Sequence, residues 1–193
     1  MQQSKAELRA AILRARREVS AHEHDSEAQA LARHLSTLVT GSATVCAYVP
    51  VGSEPGSIEV VDDLRRHGAR VLLPIARSDA AGVPQPLQWG EYRPGELVEA
   101  PHGLREPAEP WLPAEAVADA SLILVPALAV DRDGARLGRG AGYYDRSLPL
   151  ADGAARLIAV VRDDELVDHL PAEPHDVRMS HALTPRAGLV ALG

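Results

Sequence analysis

A chain of 193 residues, 46% of them hydrophobic, carries enough apolar material for a sizeable core, and a single domain over residues 1–193 is the expectation. The formal net charge of −7 argues against a nucleic-acid or anionic-membrane partner, because both reward a broad basic face, although a local basic cluster can still hold a small anion. No run approaches the roughly 20 apolar residues of a membrane-spanning helix, and Cys46, the one cysteine, excludes an internal disulfide. Cys46 lies inside the apolar stretch ATVCAYV and reads as a buried structural thiol in a reducing, cytoplasmic setting.

Ser4 followed by Glu7 is a capping box, and Leu8, Ile12, Ala15 and Val19 then recur on one face, so the first helix is expected from about Lys5 to Val19. Its remaining positions, among them Lys5, Arg9, Arg14, Arg16 and Arg17, read as a solvated face, on which Lys5 and Arg9 point the same way because they stand four residues apart. A second helix is expected from about Ser26 to Val39, closed by Gly41. TVCAYVP (44–50) and VLLPI (71–75) read as strands around a helix from Ile58 to His67, which makes a βαβ unit with parallel strands. From Ala76 to Pro113 the composition predicts a long loop with a possible strand at Leu87 to Trp89. After a short helical candidate at Ala114–Ala118, the pattern repeats as the strand SLILV, a glycine loop, a helix to about Leu148 and the strand RLIAVV (156–161). The tail offers DDELV as a short helix or turn and a last apolar piece at Leu189–Leu192. Phenylalanine is absent, so branched aliphatic residues must fill the core, which suits an α/β protein.

The glycine loop, Gly138-x-Gly140-x-Gly142, stands among Arg136 and Arg139 and runs into Tyr143, Tyr144 and Asp145. Glycines let backbone N–H groups turn toward an anion, and a helix starting near Gly142 would add partial positive charge there. The spacing is neither a Walker A motif nor a dinucleotide fingerprint, and a purely structural glycine turn stays open on spacing alone. Asp131 and Asp133-Gly134 resemble the opening of a calcium loop, but the twelfth position is Gly142 rather than glutamate, so they read as turn residues. His22, His24, His175 and His181 lack zinc-ligand spacing and read as surface histidines. No Gly-x-Ser-x-Gly elbow points to acyl transfer.

Arg136-Leu-Gly-Arg-Gly-Ala-Gly-Tyr-Tyr-Asp145 resembles the signature of the 5-formyltetrahydrofolate cyclo-ligase family. The likeness extends to Lys5 and Arg9, to Glu54 after the first strand, to the apolar strand before the loop and to LPAEPHD near the end. The resemblance implies an open, mostly parallel α/β sheet with helices on both faces, a Rossmann-like arrangement similar to the layers of sugar-phosphate isomerases and CoA transferases. It also implies ATP- and Mg²⁺-dependent conversion of 5-formyltetrahydrofolate to 5,10-methenyltetrahydrofolate, with the small-molecule substrate as partner; the sequence leaves the oligomeric state open, and a monomer is the expectation. On this likeness Lys5, Arg9 and the loop from Arg136 through Leu137, Gly138, Arg139, Gly140, Ala141, Gly142 and Tyr143 would hold the nucleotide. Arg139 and Arg136 would stabilise the transferring charge. Val49, Glu54, Arg139, Gly140, Gly142 and Tyr143 would border the folate, and Asp145 would take Mg²⁺.

The chain departs from the family pattern where Ser180 replaces an aspartate expected as a second metal contact, leaving Asp176 or Ser180 to fill that place, and where Ala141 stands in place of glycine or lysine. Two other readings remain: a catalytically silent folate- or nucleotide-binding module, and a phosphorylated-metabolite isomerase using the same loop.

Overall fold

The computed structural model describes residues 4–174 and 176–193; His175 and the first three residues lie outside them. The capping box at the start of α1 (Lys5–Arg17) is present: the Glu7 N–H donates to Ser4 Oγ at 3.3 Å, and the Ser4 N–H to Glu7 Oε2 at 2.8 Å. Helix α2 (Ala21–Ser36) begins five residues before the expected Ser26, because Ser20 accepts from the Glu23 N–H and caps it there. Next come β1 (Thr44–Cys46), α3 (Ile58–Arg66) and β2 (Arg70–Ile75), the anticipated βαβ unit, with β1 and β2 parallel.

The expected loop from Ala76 to Pro113 is more ordered than its composition suggests. It holds β3 (Gln88–Glu91) and a hairpin of β4 (Leu97–Ala100) and β5 (Leu104–Pro107), whose turn passes through His102 in the left-handed region, at φ 65°. A 3₁₀ helix (Ala114–Asp119) leads to β6 (Leu122–Pro126), and then β7 (Ala129–Asp131) and β8 (Arg136–Leu137) form a hairpin before the glycine loop. The expected direct passage from strand to loop is thus interrupted by a small ribbon. Helix α4 (Tyr143–Ser147) is a single turn extended by a 3₁₀ segment, and β9 (Arg156–Val160), β10 (Leu166–Val167), β11 (His181–Thr184) and β12 (Gly188–Ala191) complete the chain.

The main sheet has seven strands in the order β12-β11-β9-β6-β1-β2-β3. The inner five are parallel, and antiparallel β12 and β3 flank them. Successive strand residues alternate between two apolar clusters. Val45, Leu73, Leu124 and Ile158 face Leu31 and Leu35 of α2 and Leu64 of α3. Cys46, Leu72, Ile123 and Ala159 face Trp89, Val117 and Leu148 on the other side. Each fully buried leucine among them is worth about 1.5–3 kcal/mol relative to exposure.

Helix α1 stays off the main sheet. Leu8, Ile12 and Leu13 pack on a third cluster of Leu128, Ala129, Leu137 and Leu170, over the small β10-β7-β8 sheet. This corrects the helical face read from sequence: Ala15 is exposed, whereas Arg16, assigned to the solvated side, is only 3% exposed. Arg16 continues the Leu8–Ile12 track one turn further, and the buried carboxylate of Glu165 meets its charge. Among the described residues no helix is long and apolar enough to cross a membrane.

Candidate active site

Strand β1 is the point where strand order reverses, since β2 lies to one side of it and β6 to the other. In open α/β sheets the crevice beyond the carboxyl ends of such strands is where ligands bind. A cavity of about 410 Å³ opens there. Tyr48, Val49 and Glu54 enter it after β1, Ala76 after β2, and Pro126 at the end of β6 with Ala127 and Leu128 just beyond it. The packing of α1 on the small sheet carries Lys5 and Arg9 to its rim, and the β7–β8 hairpin delivers the whole run from Arg136 to Asp145.

The loop conformation accounts for its glycines at two positions. Gly140 and Gly142 have φ of +101° and +81°, and Gly142 is the N-cap of α4. With only five residues, α4 contributes little macrodipole, so positive potential at the loop comes from its backbone N–H groups and arginines.

Each cation lining the loop is held by an internal acceptor. Arg9 Nε donates to the Gly138 carbonyl at 2.8 Å, and Lys5 Nζ lies 3.3 Å from Asp176 Oδ2 and 3.4 Å from Glu173 Oε1. Arg136 donates through Nη1 to the Pro126 carbonyl at 3.1 Å and through Nη2 to Asp145 Oδ1 at 2.8 Å. Its guanidinium stands 5.7 Å from the Tyr144 ring centre, within cation–π range. Arg139 Nε donates to Glu54 Oε1 at 3.1 Å, while the other Glu54 oxygen accepts from the Val51 N–H at 3.0 Å. Tyr143 exchanges a hydrogen bond with Ser78 through its hydroxyl, at 3.1 Å, and its carbonyl accepts from Ser147 Oγ.

Burial, followed by the charge of Glu54, pushes the phenols of both Tyr48 and Tyr144 well above the usual tyrosine range, so both remain protonated hydrogen-bonding groups at neutral pH.

Lys5, Arg9, Val49, Glu54, Arg136 to Tyr143, Asp145 and Asp176 all border this one cavity. Ser180 is not among its lining residues: its hydroxyl accepts from the Leu157 N–H at 3.0 Å and donates to the Leu157 carbonyl at 3.1 Å, inside the main sheet. Of the two alternatives for a second metal contact, only Asp176 therefore reaches the cavity. The turn reading of Asp131 holds, since its carboxylate accepts from the N–H groups of Asp133, Ala135 and Leu170.

Sequence reasoning missed Tyr48, Arg16, Leu128 and the hairpin residues His102 and Arg105, which also line the cavity. Tyr48 was within reach, as an aromatic residue near the carboxyl end of the predicted strand 44–50. The others depend on how α1 and the β4–β5 hairpin pack.

Residues 1–185 match the model of the 5-formyltetrahydrofolate cyclo-ligase family. A 5-formyltetrahydrofolate cyclo-ligase of Mycolicibacterium smegmatis is 65% identical over 189 residues, covering 98% of this chain and 97% of its own. The Escherichia coli K12 cyclo-ligase is 28% identical over 178 residues, covering 90% and 96%. In three dimensions the chain resembles the 5,10-methenyltetrahydrofolate synthetase of Aquifex aeolicus, with a TM-score of 0.78 and 23% identity over 97% of this chain and 92% of that one. The Mycoplasma pneumoniae synthetase follows with a TM-score of 0.72 and 22% identity over 93% and 98%. The mostly parallel sheet with its bordering glycine loop is thus the cyclo-ligase fold, and the chain belongs to the 5-formyltetrahydrofolate cyclo-ligase family, a family of ligases.

Proposed function

We propose that the protein closes 5-formyltetrahydrofolate to 5,10-methenyltetrahydrofolate at the expense of ATP, with Mg²⁺ as the metal. The observation that carries this reading is the convergence on one cavity of a glycine loop with two arginines, a basic pair from α1, and the carboxylates of Asp145 and Asp176. Such an arrangement suits a polyphosphate and a hard divalent cation side by side, and Glu54, buried Tyr48 and half-buried Tyr144 leave a polar, partly apolar recess next to it for a heterocycle.

A formamide is a poor electrophile, so N10 of the folate does not close on it readily. The formyl oxygen therefore first takes the γ-phosphoryl group of ATP, ADP leaves, and the formyl carbon becomes that of an imidate-like phosphate. N10 then attacks this carbon, its proton is released, and inorganic phosphate departs with the C–O bond. Chemistry of this kind asks the protein for positioning and charge neutralisation rather than for a covalent nucleophile. Arg139 and Arg136 neutralise charge on the transferring group, Lys5 and Arg9 hold the polyphosphate, and the N–H groups from Gly138 to Gly142 cradle it. Val49 and Glu54 border the folate. Asp145, with Asp176, fits a hard cation through its carboxylate oxygen, and Mg²⁺ bound there would neutralise phosphate charge.

The test is the rise in absorbance as the methenyl product forms from 5-formyltetrahydrofolate with purified protein, ATP and Mg²⁺. An ATP-dependent rise with one ADP formed per product is the expected result. Folate binding without turnover would favour a silent binding module, and turnover of a sugar phosphate without ATP would favour an isomerase.

A further inference from the structure

His24, read from the sequence as a surface histidine, is tied to the site by its ring. It stands in the first turn of α2, half-buried, with Nε2 3.0 Å from the backbone carbonyl of Glu54. A carbonyl only accepts, so the ring donates from Nε2, which carries its proton in the neutral tautomer this bond selects and in the charged ring alike. His24 does not line the cavity, so whatever it contributes to the site passes through Glu54.

Few hydrogen bonds hold the turn that carries Glu54. The Glu54 N–H donates to the Val51 carbonyl at 3.1 Å, and the Val51 N–H donates back to Glu54 Oε2 at 3.0 Å, which closes residues 51–54 on themselves without fixing them to another element. Among the described residues two hydrogen bonds reach this turn from elsewhere in the fold: Arg139 Nε to Glu54 Oε1 at 3.1 Å, and the bond from His24. The Arg139 side chain is half exposed and, in the chemistry above, serves the transferring phosphoryl group, so it is a poor permanent anchor. Helix α2 is a better one. Ala28, Leu31 and Leu35 bury its inner face, and Arg162, just beyond β9, donates through Nη2 to Glu23 at 2.9 Å and to Glu27 at 2.8 Å, on either side of His24. A side chain that must meet a ligand within a fraction of an ångström needs such a rigid support behind it.

We propose, resting on the folate reading above, that His24 is a positioning residue for the folate: its Nε2–H pins the Glu54 carbonyl to the fixed first turns of α2 and so holds the Glu54 carboxylate ready for the substrate. When Arg139 leaves Glu54 for the phosphoryl group, the His24 bond is the tie from another element that stays. The nucleotide, held by the glycine loop and α1, does not depend on it.

The experiment measures binding by calorimetry, with 5-formyltetrahydrofolate and Mg·ATP titrated separately, together with turnover and thermal melts. His24→Ala removes the donor, His24→Leu removes it while keeping bulk, and His24→Gln returns an amide N–H close to the position of Nε2. In the Ala and Leu variants folate binding should weaken about threefold to tenfold, the scale of one hydrogen bond. Mg·ATP binding and turnover at saturating substrate should stay within about twofold of wild type, and His24→Gln should restore most of the folate affinity. A general structural role would instead lower the melting temperature and weaken both ligands together, with no rescue by glutamine. Unchanged folate affinity in the Ala and Leu variants, equal loss for folate and nucleotide, or a glutamine variant no better than alanine would each overturn the proposal. Should the alanine variant not fold, the comparison of leucine with glutamine decides in the same way. No binding of 5-formyltetrahydrofolate to the wild-type protein would overturn the folate reading and this role together, whereas wild-type binding with unaffected variants would overturn the role of His24 alone.

Discussion

Arg136 Nη2 and Asp145 Oδ1 stand 2.8 Å apart across the glycine loop, and the two partners are unequally free. The Arg136 side chain is 8% exposed and anchored to the Pro126 carbonyl, while that of Asp145 is 49% exposed. Asp145 is therefore the partner that can turn toward a cation without disturbing the loop. In the Asp145→Asn variant the Mg²⁺ concentration for half-maximal activity should rise severalfold, while nucleotide affinity measured without metal should increase, because a carboxylate no longer faces the phosphates. An unshifted metal requirement would remove Asp145 from the metal site.

Arg139 tethers the loop to Glu54, 85 residues earlier in the chain, and half of its side chain is exposed to the cavity side and solvent. Arg139→Ala should lower turnover by about 10²-fold, the scale of losing one preorganised charge stabiliser. Thermal stability should change little, since partly exposed pairs of this kind are worth little to the fold. An unchanged turnover number would leave Arg139 as a tether only.

Ser180 gives the opposite expectation. Its hydroxyl serves the Leu157 N–H and carbonyl within the sheet, so Ser180→Ala should cost about 1 kcal/mol of stability. The same variant should leave the Mg²⁺ dependence of the reaction where it was. Denaturant melts and a metal titration on one preparation separate the two effects, and a shifted metal requirement would bring Ser180 back as a ligand.

Alkaline pH should destabilise the protein in a defined direction. Burial raises the Cys46 thiol from 9.0 to about 12 and raises the Tyr48 and Tyr144 phenols well above the usual tyrosine value. A raised folded value means that the unfolded chain gives up its protons first as pH climbs. The stabilisation is complete below the unfolded values and drains away as pH rises from about 9 toward the raised values. The melting temperature should therefore fall steadily above pH 9. The buried Cys46 should resist thiol reagents in the folded protein and react on unfolding. A flat profile from pH 8 to 11 would contradict this.

The parallel βαβ core, the capping box and the glycine loop were legible in the chain because each rests on local patterning: aliphatic runs, helical spacing and glycine at backbone positions that favour it. The β4–β5 hairpin was not legible, since its strands alternate weakly and part of the pattern is exposed, so pairing rather than propensity holds it. Arg16 is the plainest case. A charged residue in a charged stretch reads as solvated, and only a carboxylate 149 residues away, Glu165, makes its burial tolerable. Ser180 shows the same limit in reverse, because its place beside Asp176 in sequence says nothing of the sheet that turns its hydroxyl inward.

What the sequence by itself determined was the kind of protein: an aliphatic α/β chain with an anion-cradling loop after a buried strand and a basic pair on its first helix. Tertiary structure alone decided the neighbours. The reversal of strand order at β1 places Glu54 against Arg139, and the packing of α1 on the small sheet brings Lys5 and Arg9 to the rim and Arg16 to the floor. Backbone preference is local and can be read from a few residues. Burial of a charge depends on what folds against it, and that is set by contacts far apart along the chain.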